Sequence, residues 1–363
     1  MPEQSGTPAN GSPLRCGVVG VGRMGRHHAR KYASLDGARL VGVVDEDADR
    51  RLAAAEELGC TAFGSIEALI DAGVDAVSVA VPTVHHLQCA RPLLEAGAAC
   101  LIEKPLAPDV EEAQQLVDLA ERTGAVLMVG HIERFNPVVR ALDRAAREDG
   151  SDEPGVRQIV PRFVEVHRVS PMTFRSVDVS VVMDMMIHDL DVVLWLMNGV
   201  EPFDIQASGV AVLTEHEDVC NARLTFDTPA GVCVANLTAS RLAFKTERKT
   251  RITGERAYVS IDYAAKKGVF IRRTANEIQM QEIRAALRTG ADLSELDYSD
   301  LVAIEDLEID SADQLEMEIR SFLGAVRDGS PPAIDAAAGL AAVRTARRII
   351  EAAREQWGAR TPT

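Results

Sequence analysis

The stretch GVVGVGRMG, Gly17 to Gly25, decides the fold. Its glycines Gly20, Gly22 and Gly25 spell G-x-G-x-x-G. Alone that pattern is weak, so its flanks carry the reading. LRCGVV before it is an apolar run of strand length, and GRHHARKYASL after it has the length and spacing of a helix. In that setting Gly20 allows a tight turn, Gly22 lets the backbone approach a pyrophosphate, and Gly25 lets helix and strand pack closely. The helix start, with Arg23 and Met24, offers free N–H groups to diphosphate charge. The next apolar run, ARLVGVVD, ends at Asp45, where a carboxylate can hydrogen-bond ribose hydroxyls. Glu46, Asp47 and Asp49 follow, with no arginine before Arg50. A 2′-phosphate would be repelled there, so the expected cofactor is NAD rather than NADP.

Working outward, strands and helices alternate. DADRRLAAAEELG is a helix closed by Gly59, and DAVSVAVP a third strand stopped by Pro82. LQCARPLLEAG is a helix, ACLIEKP a fourth strand, DVEEAQQLVDLAERTG a helix and AVLMVGH a fifth strand. Continuous apolar strands between amphipathic helices predict a parallel sheet covered on both faces, a Rossmann-type α/β unit. Past about Asn136 the pattern changes to a helix, several alternating runs and a helical tail, which predicts an α+β domain with an open, largely antiparallel sheet. A chain of 363 residues exceeds one ordinary core. The predicted organisation is a flexible tail over 1–13, a dinucleotide domain over 14–135, a substrate-binding and oligomerisation domain over 136–330, and a helical segment over 331–363.

Bulk composition excludes several functions. With 55 acidic against 39 basic residues the net charge is −16, which disfavours nucleic acid and anionic membranes as partners. The cluster KTERKTR, Lys245 to Arg251, reads as a solvated strand edge or turn. None of the six cysteines forms a C-x-x-C pair, and most sit in apolar runs, as expected of free thiols in a reducing compartment. No apolar stretch is long enough to span a bilayer, and the first thirteen residues lack the apolar centre of a signal peptide. A cytoplasmic location is the expectation.

Two stretches carry chemistry. CLIEKP sets Glu103, Lys104 and Pro105 at the end of the fourth strand, and ligands bind beyond the carboxyl ends of such strands. A lysine there can hold a substrate hydroxyl, steady an alkoxide or act as a base. MDMMIHDLD carries Asp184, His188, Asp189 and Asp191. On a helix Asp184 and His188 share one face, with Asp191 nearly on it. A histidine paired with a carboxylate is a natural proton acceptor. The same spacing suits two metal ligands, but no third is evident, so no metal is expected. Pro82, Thr83 and His86, after the third strand, are candidates to line the cofactor cleft. His27 and His28 read as packing or surface residues.

GVGRMG, VPTVHH, LIEKP, GHIERFNP and DMMIHDLD, in that order, resemble the Gfo/Idh/MocA oxidoreductases, and the similarity runs over nearly the whole chain after the tail. The resemblance implies hydride transfer between a sugar-like hydroxyl and NAD, without a metal. Lys104 would hold the hydroxyl, flanked by Asp184 and His188. His188 is the preferred base and Lys104 its competitor. It also implies a homodimer or homotetramer through the open sheet. Within the family, VGHIERFNP and DVSVVMDMMIHDLDVVLWL are most similar to the UDP-N-acetylglucosamine 3-dehydrogenases. A sugar-nucleotide substrate gives Arg134 and Asn136 polar groups of cofactor or substrate to meet, and Arg168, Arg175 or Arg241 a diphosphate. An inositol or free-sugar dehydrogenase is the alternative, and an NAD-binding regulator the non-enzymatic one. The acidic stretch YSDLVAIEDLEID, Tyr298 to Asp310, has no place in this scheme.

Overall fold

The computed structural model describes residues 12–146, 159–174, 177–229, 231–294 and 296–358. All but two residues of the expected tail, and Arg175, lie outside them. The first sheet has six strands: β1 (Leu14–Val19), β2 (Ala38–Val44), β3 (Thr61–Phe63), β4 (Ala76–Val79), β5 (Ala99–Glu103) and β6 (Leu127–Gly130). They run parallel in the order β3-β2-β1-β4-β5-β6. Helices α1 (Arg23–Ser34), α2 (Ala48–Leu58), α3 (Ile66–Asp71), α4 (His86–Glu95) and α5 (Val110–Thr123) connect them. The strand order reverses between β1 and β4, the place where a crevice opens past the strand ends. β3 and α3 answer to no expectation from sequence: three and six residues are too short to show a period.

The chain leaves this sheet through α6 (Pro137–Ala146) and β7 (Pro161–Val169). A π-helical turn over Val182–Met186 leads directly into α7 (Ile187–Leu196). Then follow β8 (Asp204–Val210), β9 (Val219–Thr228), β10 (Gly231–Ser240), β11 (Glu247–Gly254), β12 (Ala257–Asp262) and β13 (Lys267–Arg273). After α8 (Glu277–Arg288), the strand β14 (Val302–Asp306) closes an eight-stranded sheet ordered β14-β13-β12-β11-β7-β10-β9-β8. Every pairing is antiparallel except β7 with β10. Burial alternates along β9, with Cys220, Ala222, Leu224 and Phe226 turned inward, so one face packs on α6, α7 and the last helix. The acidic stretch Tyr298–Asp310 supplies β14, an edge strand.

The last two helices join the halves. α9 (Gln314–Asp328) lies against α1 and the turn Ile132–Phe135. α10 (Ala336–Gly358) lies against α5 from the first sheet and α7 and β8 from the second. Within the expected helical segment 331–363, α10 lies at the seam between the halves. No helix among the described residues is long and apolar enough to cross a membrane.

Candidate active site

Three glycines shape the first half of the site, each for a different reason. Gly20 has φ +84°, and a Cβ there would lie 2.7 Å from the Ala80 carbonyl oxygen. A Cβ on Gly25 would lie 1.7 Å from the Gly20 carbonyl oxygen, so only glycine lets α1 start this close to β1. Around Gly22 there is open space. That opening belongs to a cleft of about 790 Å3 whose wall includes Met24, Asp45, Pro82, Glu103 and Lys104. Asp45 is buried; its Oδ2 accepts from Val21 N at 2.8 Å and its Oδ1 from Asp47 N at 3.0 Å. A bare helix start, a glycine cradle and a fixed carboxylate in one cleft fit a dinucleotide. Arg50, which the sequence leaves beyond the acidic run, folds back so that its guanidinium lies 3.2 Å from Asp45 Oδ1.

The other expected cofactor contacts divide. Gly20, Gly22, Met24, Asp45, Pro82, Glu103 and Lys104 line the cleft, whereas Arg23, Gly25 and Thr83 border it without forming its wall. His86 is turned away. Its ring is buried, with Nδ1 3.0 Å from Pro105 O and Nε2 3.1 Å from Val81 O, and so ties the β4 exit to the β5 exit. His85 takes the place in the cleft wall that His86 was expected to hold.

Lys104 joins the two halves. Its Nζ donates to the Asp184 carbonyl oxygen at 2.8 Å and lies 3.8 Å from Asp184 Oδ1. Burial pushes the lysine's pKa down, while Asp184 and Glu103 pull it up and Arg168 adds to the lowering. Burial pushes Glu103 up, but a hydrogen bond from His28 and the positive charge nearby outweigh it, so the carboxyl lies below its ordinary value. His188 is half-buried, and its Nδ1 has no hydrogen-bond partner. Burial first, then Lys104, Arg168 and His131, hold its pKa well below the ordinary value of 6.5.

The expected Asp184–His188 pair is not hydrogen-bonded. Asp184 lies in the π-helical turn and gives its oxygens to Lys104, while His188 lies in α7. The wider π turn breaks the four-residue stacking that an α-helix gives. Nor does Asp191 serve His188: it is bound by Arg134 Nε at 2.7 Å and Nη2 at 2.6 Å.

Of the arginines read as substrate contacts, the described ones are struts. Arg168 is buried; it donates to Asp189 at 2.6 and 2.9 Å and to Glu133 at 3.1 Å. Asn136 Nδ2 donates to Glu133 Oε2 at 2.9 Å, and its Oδ1 accepts from Val138 N at the start of α6. Arg241 is buried, donates to Val179 O at 2.8 Å and lies 3.7 Å from Asp218. These bonds fix α7, the turn after β6 and β7 to one another, and so fix Lys104 relative to His188. A guanidinium spent on a buried carboxylate is not free for a diphosphate.

Three buried groups around the site were not read as part of it, His28 having been assigned to packing or surface. His28 contacts Glu103, His131 has neither ring nitrogen hydrogen-bonded, and Glu318 has both carboxyl oxygens unpartnered. A signal existed for His28: Gly25, His28, Ala29 and Tyr32 fall at helical spacing on the inner face of α1.

A parallel sheet with this glycine cradle, joined by a lysine to an α/β domain, defines a nicotinamide-dependent oxidoreductase, and the chain belongs to the Gfo/Idh/MocA family. The model for the oxidoreductase family's NAD-binding Rossmann fold matches residues 14–131, and that for its C-terminal alpha/beta domain matches residues 175–358. The chain is 38% identical over 344 residues to the UDP-N-acetylglucosamine 3-dehydrogenase of Acidithiobacillus ferrooxidans, covering 93% of this chain and 98% of that one. The solved structure of that organism's UDP-N-acetylglucosamine 3-dehydrogenase GnnA superposes with a TM-score of 0.80 at 36% identity, over 94% of this chain and 98% of the other. An inositol 2-dehydrogenase of Corynebacterium glutamicum is 35% identical over 187 residues, 50% of this chain and 54% of that protein.

Proposed function

We propose that the protein oxidises the 3-hydroxyl of UDP-N-acetylglucosamine to a ketone, with Lys104, Asp184 and His188 as its catalytic residues. NAD, which the Gly20–Gly25 loop and Asp45 would hold, would supply the hydride acceptor for the carbon being oxidised. The chain's residues do the rest. The Lys104 ammonium donates to the substrate hydroxyl and stabilises the oxygen as negative charge develops. The Asp184 carbonyl holds the ammonium at the cleft wall. His188, kept neutral at neutral pH by its surroundings, accepts the hydroxyl proton. Asp45 and the Gly20–Gly25 loop hold the dinucleotide. The observation that carries the reading is the Lys104–Asp184 contact, which sets a half-buried cation from the dinucleotide half against the π turn that leads into the His188 helix. Similarity over 93% of the chain to a UDP-sugar dehydrogenase favours that substrate over inositol, whose dehydrogenases match between 50% and 69% of this chain. A cytoplasmic homodimer or homotetramer, joined through the open face of the second sheet, belongs to the same proposal.

The test is turnover of a panel with NAD, following NADH absorbance and the mass of the sugar. UDP-N-acetylglucosamine losing two hydrogens, with inositol and glucose inert, is the expected result. Turnover of inositol alone would overturn the substrate and leave the catalytic residues in place. NAD binding with no turnover of any polyol or UDP-sugar would favour the regulator.

A further inference from the structure

Behind Lys104 a chain of side chains runs into the core of the first sheet. Tyr32 OH lies 2.7 Å from Ser78 Oγ, and Ser78 Oγ lies 3.0 Å from His28 Nδ1. His28 Nε2 lies 3.0 Å from Glu103 Oε1, and Glu103 Oε2 accepts from the Lys104 backbone N–H at 3.2 Å. Tyr32, Ser78 and His28 are essentially sealed from solvent. An ionised carboxylate can only accept, so Nε2 of His28 carries a proton toward Glu103. With a neutral ring, Nδ1 then accepts from the Ser78 hydroxyl, which itself accepts from Tyr32. That single polarity satisfies every member, and it aims the whole chain at the Glu103 carboxylate.

We infer that His28 is a positioning residue: through its hydrogen bond it fixes Glu103 as an ionised carboxylate beside Lys104, and so keeps the Lys104 ammonium charged for its part in catalysis. The inference rests on the proposed role of Lys104. Lys104 is faced by Glu103 from its own strand, Asp184 and His188 from the π turn and α7, Arg168 from β7 and His131 from the end of β6. Glu103 is faced by His28 from α1, His86 from α4 and Glu318 from α9. Of these, only His28 has a side-chain hydrogen bond to the Glu103 carboxylate among the described residues. Without that donor the Glu103 carboxylate is no longer held in place, and its attraction for the Lys104 ammonium weakens.

The experiment follows the Lys104 Nζ signal by NMR across pH in the substrate-free protein, beside the pH profile of kcat/KM. The variants are His28→Leu, His28→Gln and Ser78→Ala. In His28→Leu, Lys104 titrates about one pH unit lower, the size of effect a weakened neighbouring attraction gives, and the alkaline limb of kcat/KM moves the same way. His28→Gln, whose amide can still donate to Glu103, restores most of the shift. Ser78→Ala, which keeps the imidazole and serves if His28→Leu does not fold, gives a smaller shift in the same direction. An unmoved Lys104 titration in a folded His28→Leu or Ser78→Ala protein overturns the inference. A titration that moves while Lys104→Met keeps full turnover would instead remove Lys104 from the mechanism.

Discussion

Lys104 lines the cleft and His188, which does not form its wall, lies across the contact between the halves; the two have opposite needs. The lysine must stay charged to steady an alkoxide, and the imidazole must stay neutral to accept a proton. Burial lowers both pKa values, which endangers the first and serves the second; Asp184 and Glu103 offset it at Lys104, whereas at His188 the nearby Lys104 and Arg168 push the same way as burial. A base works in its deprotonated form, so activity is lost as pH falls through its pKa. Because that pKa lies well below 6.5, kcat/KM should stay level from neutral pH down past 6.5. In His188→Asn the rate should drop about 10²- to 10⁴-fold and the acid limb should disappear. An acid limb centred above 6.5, or one unchanged in the variant, would take the proton from a different base. Residues of this kind were legible in sequence where their placement is local. The glycines, Asp45 and Lys104 each end or follow a strand, and a strand end in a parallel sheet is already an address. Arg134, Arg168 and Arg241 were not, because their carboxylate partners come from other elements.

At the scale of elements, α7 is the part that must not move. Its Asp189 and Asp191 take bidentate bonds from Arg168 on β7 and Arg134 after β6. Removing one member of such a buried cluster strands the other charge and costs about 3–5 kcal/mol. Arg168→Leu should lose stability of that order in urea unfolding, and adding Asp189→Asn to it should cost far less than Asp189→Asn costs alone. Additive losses would show that the two groups are not coupled. The element pattern itself was readable where runs were long: β1, β2, β4, β5 and β6 and the helices α1, α2, α4 and α5 follow from apolar spacing. The π turn was not, since five residues of VMDMM carry the same composition in either helix. That one turn separates the expected Asp184–His188 pair from the arrangement found.

For the molecule as a whole, the seam between the halves holds an unusual acid. Glu318 on α9 is fully buried, neither carboxyl oxygen is hydrogen-bonded, and Glu103 and Asp191 add negative charge nearby. Burial and those neighbours raise its pKa well above the ordinary value of 4.5. A raised folded pKa favours the fold fully at low pH, and that contribution fades as pH rises, because the unfolded chain ionises while the folded one must hold its proton. Wild type should therefore lose about 1.4 kcal/mol per pH unit relative to Glu318→Gln, from about pH 5 until the folded carboxyl ionises. Urea unfolding at several pH values reads this, and a gap independent of pH would contradict it. The sequence held an unread sign of the seam: Leu315, Glu318, Ile319 and Phe322 share the inner stripe of α9. A carboxylate on an apolar stripe marks a buried acid, but sequence spacing does not say which acids it will meet. The same limit hid the course of α10, whose pattern shows an apolar face and not the two sheets that cover it.

One isotope experiment bears most directly on the central claim. UDP-N-acetylglucosamine carrying deuterium at carbon 3 is incubated with the protein and NAD, and both products are weighed by mass spectrometry. The account predicts that the deuterium appears on the reduced nicotinamide and that a 3-keto sugar lacking it is formed. Reduced cofactor without deuterium, beside a ketone that retains it, would place the oxidation on another carbon and contradict the account.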